Sequence, residues 1–484
     1  MKNWSKKVVL GVIALSVVAM LGACSLSGKP TEGKASGGKI VMYQIGDKPE
    51  GFDALLADAN KKIKKETGAT LDMRFITWGD YPKKMSVIVS SGENYDIAYA
   101  NSYVINAQKG AYTDLTKLLP KHAKKAYDQL DPAYIKGNTV NGKLYAFPVN
   151  ANVFAQQVLT FNKHYLDKYD LDIKNVKSYQ DLAPLLKVIK EKEKSVTPIA
   201  AGQGFKVESN MEYPLENKMP FAIDLKGDGT KIINQYDNER MKDNLRTMHK
   251  YYKDGYVAQD AATSTNEYPL NSSTWFVRQE TQGPFDYGDT ILTQAAGQPL
   301  VSKPITDAYK TNTQAQIANF VVSSNSKHKE KAVEVLGVLN SDPSILNTLI
   351  YGIEGKAWKK VDNGRVKLLD GYKPNNHLSA WNTGNNKIIY PTDNVSPAKI
   401  KERDDKIKAA KQTPLLGFNF NTDSVKTELS NISNVMNQYV DGLNTGTLDP
   451  DKAIPEMDKK LKKAGYDKVR DEIQKQYDAF KKQQ

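Results

Sequence analysis

Two patterns of hydrophobic and polar positions, one typical of strands and one of helices, alternate over the first hundred residues after position 38. Short strand-like apolar runs occupy 40–44, 70–76 and 95–100. Between them, apolar residues recur at the three- and four-residue spacing of one helix face. The clearest such stretch begins at Phe52 and ends at Gly68, a residue type that commonly terminates helices. The order strand, helix, strand, helix, strand predicts a parallel αβ layer.

The mixed pattern continues through the rest of the chain. Asn141-Gly142 predicts a hairpin-like turn before an apolar strand at 144–149, and 317–323 predicts a further strand. Helical spacing recurs at several later stretches, namely 179–192, 241–252, 329–339, 344–351, 425–443 and 450–480. A chain of 484 residues with this pattern predicts two or more domains rather than one core.

The first two dozen residues follow a different pattern. Lysines at positions 2, 6 and 7 precede an apolar run from Val8 to Leu21, and Leu21-Gly22-Ala23-Cys24 follows. This is the layout of a secretory signal, and the run is too short for a stable spanning helix, which needs about 20 residues. Cys24, the only cysteine, stands where a bacterial lipobox places the lipid-modified thiol. We predict a signal peptide at 1–23, a lipid such as palmitate on Cys24 and a flexible tether at 24–38; an ordinary signal peptide with a chance cysteine is the alternative.

Composition and charge exclude several function classes. Hydrophobic content of 40% and charged content of 25% are typical of a soluble globular protein. The net charge of +13 comes largely from lysines at helical spacing beside acids, which predicts solvated helix faces. Nucleic-acid binding would require basic residues interleaved with stacking aromatics, and no such stretch occurs. Attraction to an anionic wall or membrane surface stays open.

Catalytic and metal-binding motifs are weak or incomplete. The stretch from Gly137 to Leu144 matches a P-loop motif except at its last position. Leu144 stands where the motif needs the Mg²⁺-binding hydroxyl of Ser or Thr. The stretch from Asp224 to Gly229 has too few carboxylates in register for a calcium loop, and the five histidines have no paired ligand spacing. We therefore predict no metal, no cofactor and no enzyme activity. Two facing carboxylates would suffice for a glycosidase, so a secreted glycoside hydrolase is kept as the less favoured alternative.

Aromatic residues in polar loops suggest a ligand instead. Trp78 leads Gly-Asp-Tyr, Trp275 follows Asn-Ser-Ser-Thr and Trp381 leads Asn-Thr-Gly-Asn-Asn, and there are 26 tyrosines against 13 phenylalanines. Flat rings beside amides and carboxylates suit a sugar, whose C–H face stacks on a ring while its hydroxyls pair with polar groups. Core packing of each tryptophan is the alternative. The combination predicts a carbohydrate site.

Several segments resemble family-1 extracellular solute-binding lipoproteins of Gram-positive ABC importers. Besides the lipobox and tether, the similarity lies in Lys39-Ile-Val-Met-Tyr43, Gly142-Lys-Leu-Tyr-Ala-Phe-Pro148, Ala318-Asn-Phe-Val-Val-Ser-Ser-Asn-Ser-Lys327 and Thr447-Leu-Asp-Pro-Asp-Lys-Ala453. Further segments are similar to streptococcal members that deliver complex N-glycan oligosaccharides: Tyr43-Gln-Ile-Gly-Asp-Lys-Pro49, Trp78-Gly-Asp-Tyr81, Ser90-Ser-Gly-Glu-Asn-Tyr-Asp-Ile-Ala98, Thr274-Trp-Phe-Val-Arg278 and Trp381-Asn-Thr-Gly-Asn-Asn386. The resemblance covers essentially the whole mature chain.

This resemblance implies an α/β fold of the type II periplasmic-binding-protein class, with two discontinuous lobes, a hinge and a cleft between them. By analogy the N-lobe holds 39–149 and about 319–411, and the C-lobe holds about 152–316 and 412–484. Hinge candidates are 148–153 and 318–322. Since ligands of open αβ sheets lie beyond the carboxyl ends of strands, the expected ligand-binding residues are Tyr43, Trp78, Asp80, Asn101, Tyr103, Asn150, Asn152, Trp275, Asp286, Tyr287, Trp381 and Asn382.

The expected function is capture and delivery. An oligosaccharide, which the streptococcal resemblance implies is derived from N-glycans, bridges both lobes, favours the closed form and passes to the permease subunits of an ABC importer. The protein is expected to be a monomer, held by its lipid at the outer face of the cell membrane. A receptor for a peptide or another solute is the main alternative.

Overall fold

The apolar alternation in the first hundred residues produces three parallel strands. The computed structural model describes residues 38–264, 268–361, 364–373 and 375–483, within one compact unit, 37–484. The signal peptide, Cys24 and nearly all of the tether lie outside these ranges. The strands are β1 Lys39–Ile45, β2 Thr70–Ile76, β3 Ile97–Tyr99, β4 Thr139–Val140, β5 Lys143–Leu144, β6 Ala146–Pro148, β7 Gln156–Asn162, β8 Thr197–Ala200, β9 Met211–Glu212, β10 Phe221–Asp224, β11 Ile233–Asn234, β12 Trp275–Gln282, β13 Leu300–Pro304, β14 Tyr309–Lys310, β15 Asn319–Val322, β16 Trp358–Lys360, β17 Val366–Leu368 and β18 Lys411–Gln412.

Helices of four to sixteen residues connect and cover these strands. They are α1 Phe52–Thr67, α2 Tyr81–Ser91, α3 Tyr103–Gln108, α4 Leu118–His122, α5 Lys124–Tyr127, α6 Pro132–Asn138, α7 Lys163–Lys168, α8 Ala183–Lys192, α9 Glu239–Lys253, α10 Thr290–Ala296, α11 Asn312–Gln316, α12 Lys329–Leu339, α13 Pro343–Tyr351, α14 Pro397–Ala409, α15 Lys426–Met436, α16 Val440–Asn444, α17 Pro450–Lys463 and α18 Tyr466–Lys481. Among the described residues, no helix is long and apolar enough to cross a membrane.

The first sheet has the order β2-β1-β3-β15-β6. β1 pairs in parallel with β2 and with β3, as the pattern predicts, whereas the returning strand β15 pairs antiparallel with β3 and β6. Helix α1 buries Phe52, Leu55, Ala59 and Ile63 against this sheet, and Gly68 ends it at a φ of 74°, which only glycine adopts without strain. The core around the sheet draws on 40–151 and again on 318–389.

The second sheet has the order β13-β7-β12-β8 and belongs to a separate core. β12 runs parallel to β8 and antiparallel to β7, which is also antiparallel to β13. This second core draws on 159–277 and again on 415–477. The protein is therefore an α/β protein with two lobes, each built from more than one stretch of the chain.

The segment 425–443, predicted as one long helix, is divided in the structure. α15 ends at Met436 and α16 begins at Val440, with Tyr439 buried between them. Ile432, Met436 and Leu443 still point into the second core. A short turn between the two helices changes the direction of the chain and keeps the apolar side chains on the core side. Helical periodicity does not predict such a break, because it results from tertiary packing.

Three connecting segments meet between the two cores. The first, 149–155, links β6 to β7; the second links β13 to β15 and contains β14; the third contains α14 and β18. β14 pairs with β18, and Ala155 bridges to Tyr309. A small apolar cluster fills this region, formed by Ala133, Tyr134, Val153, Phe154, Phe285, Tyr287, Ala315, Val395, Ile407 and Leu416.

Candidate functional site

Strand directions place a shared edge of both sheets beside the first connecting segment. β6 runs with β1, β2 and β3, so all four strands end at the edge from which 149–155 departs. In the second sheet β8, β12 and β13 end at the edge where β7 begins. The loops that follow these strands therefore face the region between the lobes, where open αβ sheets place their ligands.

Two exposed tryptophans stack on one another at the edge of the first sheet. The ring centroids of Trp78 and Trp381 are 5.7 Å apart with an interplanar angle of 19°. Trp78 follows β2 and is 47% exposed, while Trp381 lies in a short 3-10 helix, Ala380–Asn382, and is 37% exposed. Most large apolar side chains of the described residues are buried, so an open stacked pair is a surface suited to a flat apolar ligand face. We call Trp78 and Trp381 the ring platform.

Gly46 lies beside the Trp78 indole in a backbone conformation that favours glycine. It follows β1 at a φ of 121°, and its amide donates to the carbonyl of Ile76 over 2.8 Å. A Cβ at this position would lie 3.5 Å from the Trp78 Nε1 atom, which is ordinary van der Waals contact. Another residue would therefore be strained in its backbone rather than by the indole.

Asp80 and Asn101 also lie at this edge and are accessible. Asp80 pairs with Lys84 over 3.0 Å, and the nearby ammonium lowers the pKa of the carboxyl. Asn101 donates from Nδ2 to the Ser86 hydroxyl over 3.1 Å. Polar side chains beside exposed rings are the combination that sugar recognition requires.

Tyr43 and Tyr103, predicted to line the site, are buried and their hydroxyls are occupied. Tyr43 donates to Glu93 over 2.7 Å, and Tyr103 donates to the carbonyl of Asn138 over 2.5 Å. Burial, and then the Glu93 carboxylate, raises the pKa of Tyr43. In this structure neither phenol is open to a ligand, because both rings pack into the first core and both hydroxyls already have protein partners.

Asn150 and Asn382 are also buried, contrary to their prediction as ligand contacts. Asn150 donates from Nδ2 to the carbonyl of Gln129 over 3.0 Å and is 4% exposed. Asn382 is also 4% exposed, and its carbonyl accepts a hydrogen bond from Gln44 over 3.1 Å. Asn152 packs on the second lobe, since a Cβ on Gly283 would lie 2.1 Å from its Oδ1 atom. These asparagines join chain segments rather than face the space between the lobes.

The position of Trp275 contradicts the prediction that its ring stacks on a ligand. Its side chain is fully buried, and its indole nitrogen donates to the carbonyl of Pro269 over 2.9 Å. The physical reason is strand direction: Trp275 begins β12, and the connecting-segment edge lies at the far end of this eight-residue strand, roughly 23 Å away at the usual rise per residue. Sequence alone did not give that direction.

Asp286 and Tyr287 follow β12 and reach the correct edge, but they are held by the protein. Asp286 accepts from the Gly283 amide over 2.6 Å, and burial raises the pKa of its carboxyl to about 6. Tyr287 adopts a φ of 50° and accepts a hydrogen bond from Arg403 over 2.9 Å. The Arg403 guanidinium also lies 5.0 Å from the ring centre of Phe285. This region ties the third connecting segment to the second lobe.

A polar cavity of about 110 Å³ lies at the edge of the second sheet and was not predicted from the sequence. Gln157, Glu208, Asn210 and Tyr309 are among its lining residues. Burial raises the pKa of Glu208 and lowers that of its charge partner, Lys206. The available signal was a cluster of polar residues, Lys206-Val-Glu-Ser-Asn210, shortly after a strand end, a position that open αβ sheets use for ligands.

The two near-motifs have structural explanations. Asn141 and Gly142, with φ values of 50° and 75°, form the turn of the β4–β5 hairpin, as the turn prediction requires. The Asp224 carboxylate accepts from Arg240 and from Asn238, the latter over 3.1 Å, and Asp228 accepts from Thr230 over 2.8 Å. Within the part of the chain that the structure describes, no group of three or more His, Cys, Asp or Glu side chains could hold a metal ion.

Two α/β lobes, joined by several connecting segments and carrying a ring platform between them, define a binding protein of the extracellular solute-binding class. The chain belongs to the bacterial extracellular solute-binding protein family, which matches residues 58–352. A domain of unknown function, DUF3502, matches residues 414–482.

Particular relatives narrow this class. A Streptococcus pneumoniae protein named carbohydrate ABC transporter substrate-binding protein is 52% identical over 100% of this chain and 99% of its own length. The crystal structure of NgtS, the N-glycan transport solute binding protein of the same species, is 54% identical, covers 91% of this chain and 98% of its own and superimposes with a TM-score of 0.89. NgtS in complex with Man5GlcNAc is 54% identical, covers 92% and 99% of the two chains and superimposes with a TM-score of 0.80.

Proposed function

We propose that this protein is the substrate-binding component of a carbohydrate ABC importer and that it captures an oligosaccharide derived from N-glycans between its two lobes. The single observation that carries the proposal is the ring platform at the edge of the first sheet. Two adjoining, exposed indoles form an apolar surface patch of the kind that marks a binding site. The relatives support the class of ligand, since NgtS has been crystallised with Man1GlcNAc and with Man5GlcNAc.

In this proposal Trp78 and Trp381 stack on the sugar rings. Asp80 and Asn101 bind hydroxyl groups beside them, and the cavity with Gln157, Glu208 and Asn210 supplies the facing wall. Each stacked ring would contribute about 0.5–1.5 kcal/mol beyond its buried area. The chemistry is binding only, with the sugar released unmodified.

The lobes are proposed to comprise 39–149 with about 319–411, and about 152–316 with 412–484. Hinge motion would use the connecting segments, with a sugar that contacts both lobes favouring the closed form by its differential contacts. The TM-score of this chain is 0.89 with one NgtS structure and 0.83 and 0.80 with the two NgtS sugar complexes.

The proposal also includes export and anchoring. Cys24 would carry the lipid that holds the mature protein at the outer face of the membrane, and the tether at 24–38 would let the lobes reach the permease subunits. Mass spectrometry of the membrane-extracted protein tests this directly. A diacylated mature chain beginning at Cys24 is expected; cleavage elsewhere without lipid would contradict the anchor while leaving the binding proposal untouched.

Calorimetry with a panel of glycans tests the ligand. Purified residues 25–484 should bind mannose- and GlcNAc-containing oligosaccharides at one site, and Trp78→Ala or Trp381→Ala should each weaken binding by about 1 kcal/mol or more. Trp275→Phe, a conservative change in the buried tryptophan, serves as a matched control and should leave affinity unchanged.

Three other outcomes would be decisive in the same experiment. New reducing ends after incubation would reveal a glycoside hydrolase. No response to any glycan, with binding of a peptide or another solute, would assign a different receptor class. Unchanged affinity in both platform variants would remove the stacking model even if a glycan binds.

A further inference from the structure

Buried amide side chains bond the backbone of the residues on either side of Trp381. Asn386 donates from Nδ2 to the carbonyl of Ala380 over 2.8 Å and to that of Gly384 over 2.8 Å. Gln44 donates from Nε2 to the carbonyl of Asn382 over 3.1 Å. The carbonyls of the residues before and after Trp381 are therefore each fixed by a buried side chain.

The end of β1 fixes both members of the platform. Gln44, in β1, bonds the Trp381 segment, and two residues later the Gly46 amide bonds Ile76 at the end of β2, just before Trp78. β1 pairs along its full length with β2, and β2 leads into Trp78. The same pair of strands therefore positions both rings. Gln44 spans the two segments through its hydrogen bond to the carbonyl of Asn382.

Only the donor end of the Gln44 side-chain amide is paired. Its Oε1 atom is buried and has no hydrogen-bond partner among the described residues. A buried, unpaired acceptor destabilises a fold, which offsets part of what the Nε2 hydrogen bond to Asn382 contributes. The donor on the same amide is what the site uses.

The Trp381 segment is also tied to the first connecting segment. The backbone amide of Asn386 donates to the carbonyl of Asn150 over 2.9 Å. Asn150 in turn donates to the carbonyl of Gln129, whose side-chain oxygen accepts from Asn385 over 2.8 Å. The segment that carries the platform is therefore bonded directly to the candidate hinge.

We infer that Gln44 and Asn386 are positioning residues, which do not touch the ligand but hold Trp381 parallel to Trp78 in the stacked arrangement that forms the ring platform. The inference deepens the proposed function and rests on it for the ligand, whereas the geometry of the rings can be tested without any ligand. It assigns a specificity role to two side chains hidden beneath the platform.

Two variants of the purified protein test it. Asn386→Asp keeps the shape but places a carboxylate oxygen against two carbonyl oxygens, and Gln44→Met keeps the length but removes the donor. Each should weaken binding of Man5GlcNAc about tenfold. Each should also reduce the exciton band that two stacked indoles give in circular dichroism, a signal that Trp381→Ala abolishes in either case.

Asn347→Asp is the matched control. Asn347 is likewise a buried asparagine that donates to two carbonyls, those of Pro343 over 2.7 Å and Ile388 over 3.1 Å, but it does not flank Trp381. It should lower thermal stability about as much as Asn386→Asp while preserving the exciton band and the affinity. That contrast separates positioning from general destabilisation.

A double-mutant cycle with Trp381→Ala decides the matter. If Asn386 and Gln44 act through Trp381, their variants should weaken binding little further once that ring is gone. The same loss in both backgrounds, or an unaltered exciton band in both single variants, overturns the inference. If the wild-type protein binds no glycan at all, the proposed function is wrong. The exciton band still tests whether the two residues position Trp381.

Discussion

Glu212 should make the stability of this protein depend on pH. Its side chain is 5% exposed and accepts hydrogen bonds from the Thr413 hydroxyl over 2.7 Å and from the Leu415 amide over 3.2 Å. Burial raises the pKa of this carboxyl from 4.5 to about 7, although these hydrogen bonds oppose the rise. Between those two values the folded protein holds a proton that the unfolded chain has already released. Its contribution to stability therefore falls as pH rises from 4.5 to 7 and is lowest above 7.

The difference between the two pKa values corresponds to a stability change of about 3 kcal/mol across that window. Glu212→Gln should remove most of it. The amide oxygen can still accept from Leu415, while the amide NH₂ donates to Thr413, whose hydroxyl can turn to the carbonyl of Lys310 3.2 Å away. The variant should thus match the wild type near pH 4.5 and exceed it by about 2–3 kcal/mol at pH 8.

Denaturant unfolding at pH 5, 6, 7 and 8 measures this difference. Glu216→Gln is the control: Glu216 lies in the same segment but is solvent-exposed and pairs with Lys218, so its effect should stay below about 1 kcal/mol at every pH. A wild-type minus Glu212→Gln difference that does not change with pH would refute the reasoning. It would mean that water or another group stabilises the ionised carboxylate in the folded protein.

Further substitutions test packing and the joints between segments. Trp275→Ala should destabilise the protein by about 3–5 kcal/mol, since it removes a fully buried ring, yet spare glycan affinity measured well below the melting transition; a selective loss of affinity would restore Trp275 to the site. Gly446→Ala should cost more than about 2 kcal/mol in denaturant unfolding, because φ is 80° and the new Cβ would lie 2.2 Å from the Met248 carbonyl oxygen; an unchanged midpoint would contradict this. Lys310→Met should cost about 3 kcal/mol by leaving Asp131, now 2.7 Å from the ammonium and only 14% exposed, without its partner. Restoration of that loss by Asp131→Asn in the same chain is expected, and its absence would show that the pair is not the cause.

Local patterns sufficed where neighbouring residues decide the structure. β2 occupies the predicted 70–76, and α1 begins at Phe52 and ends before Gly68, because apolar spacing and a terminating glycine act within a few residues. The hairpin at Asn141-Gly142 forms for the same reason. The platform tryptophans were also recognisable, since each stands in a short polar loop.

Other features depend on contacts between distant segments. No pattern near Trp275 shows which end of β12 adjoins the other lobe, and no pattern near Asn150 or Asn382 shows that their amides are used inside the protein. The break between α15 and α16 likewise follows from packing on the second core. Buried partners separated by hundreds of residues, such as Gln44 and Asn382, leave no local periodicity to detect.

The αβ character, most element positions and the residue types suited to a sugar could be predicted, because they follow from short-range periodicity and side-chain chemistry. Which of those residues share a surface depends on the packing of distant segments. Trp78 and Trp381 are about three hundred positions apart in the sequence, and they stack because β1 holds both of their segments through Gly46 and Gln44. That juxtaposition is a property of strand order and direction, which is fixed by the packing of the whole sheet.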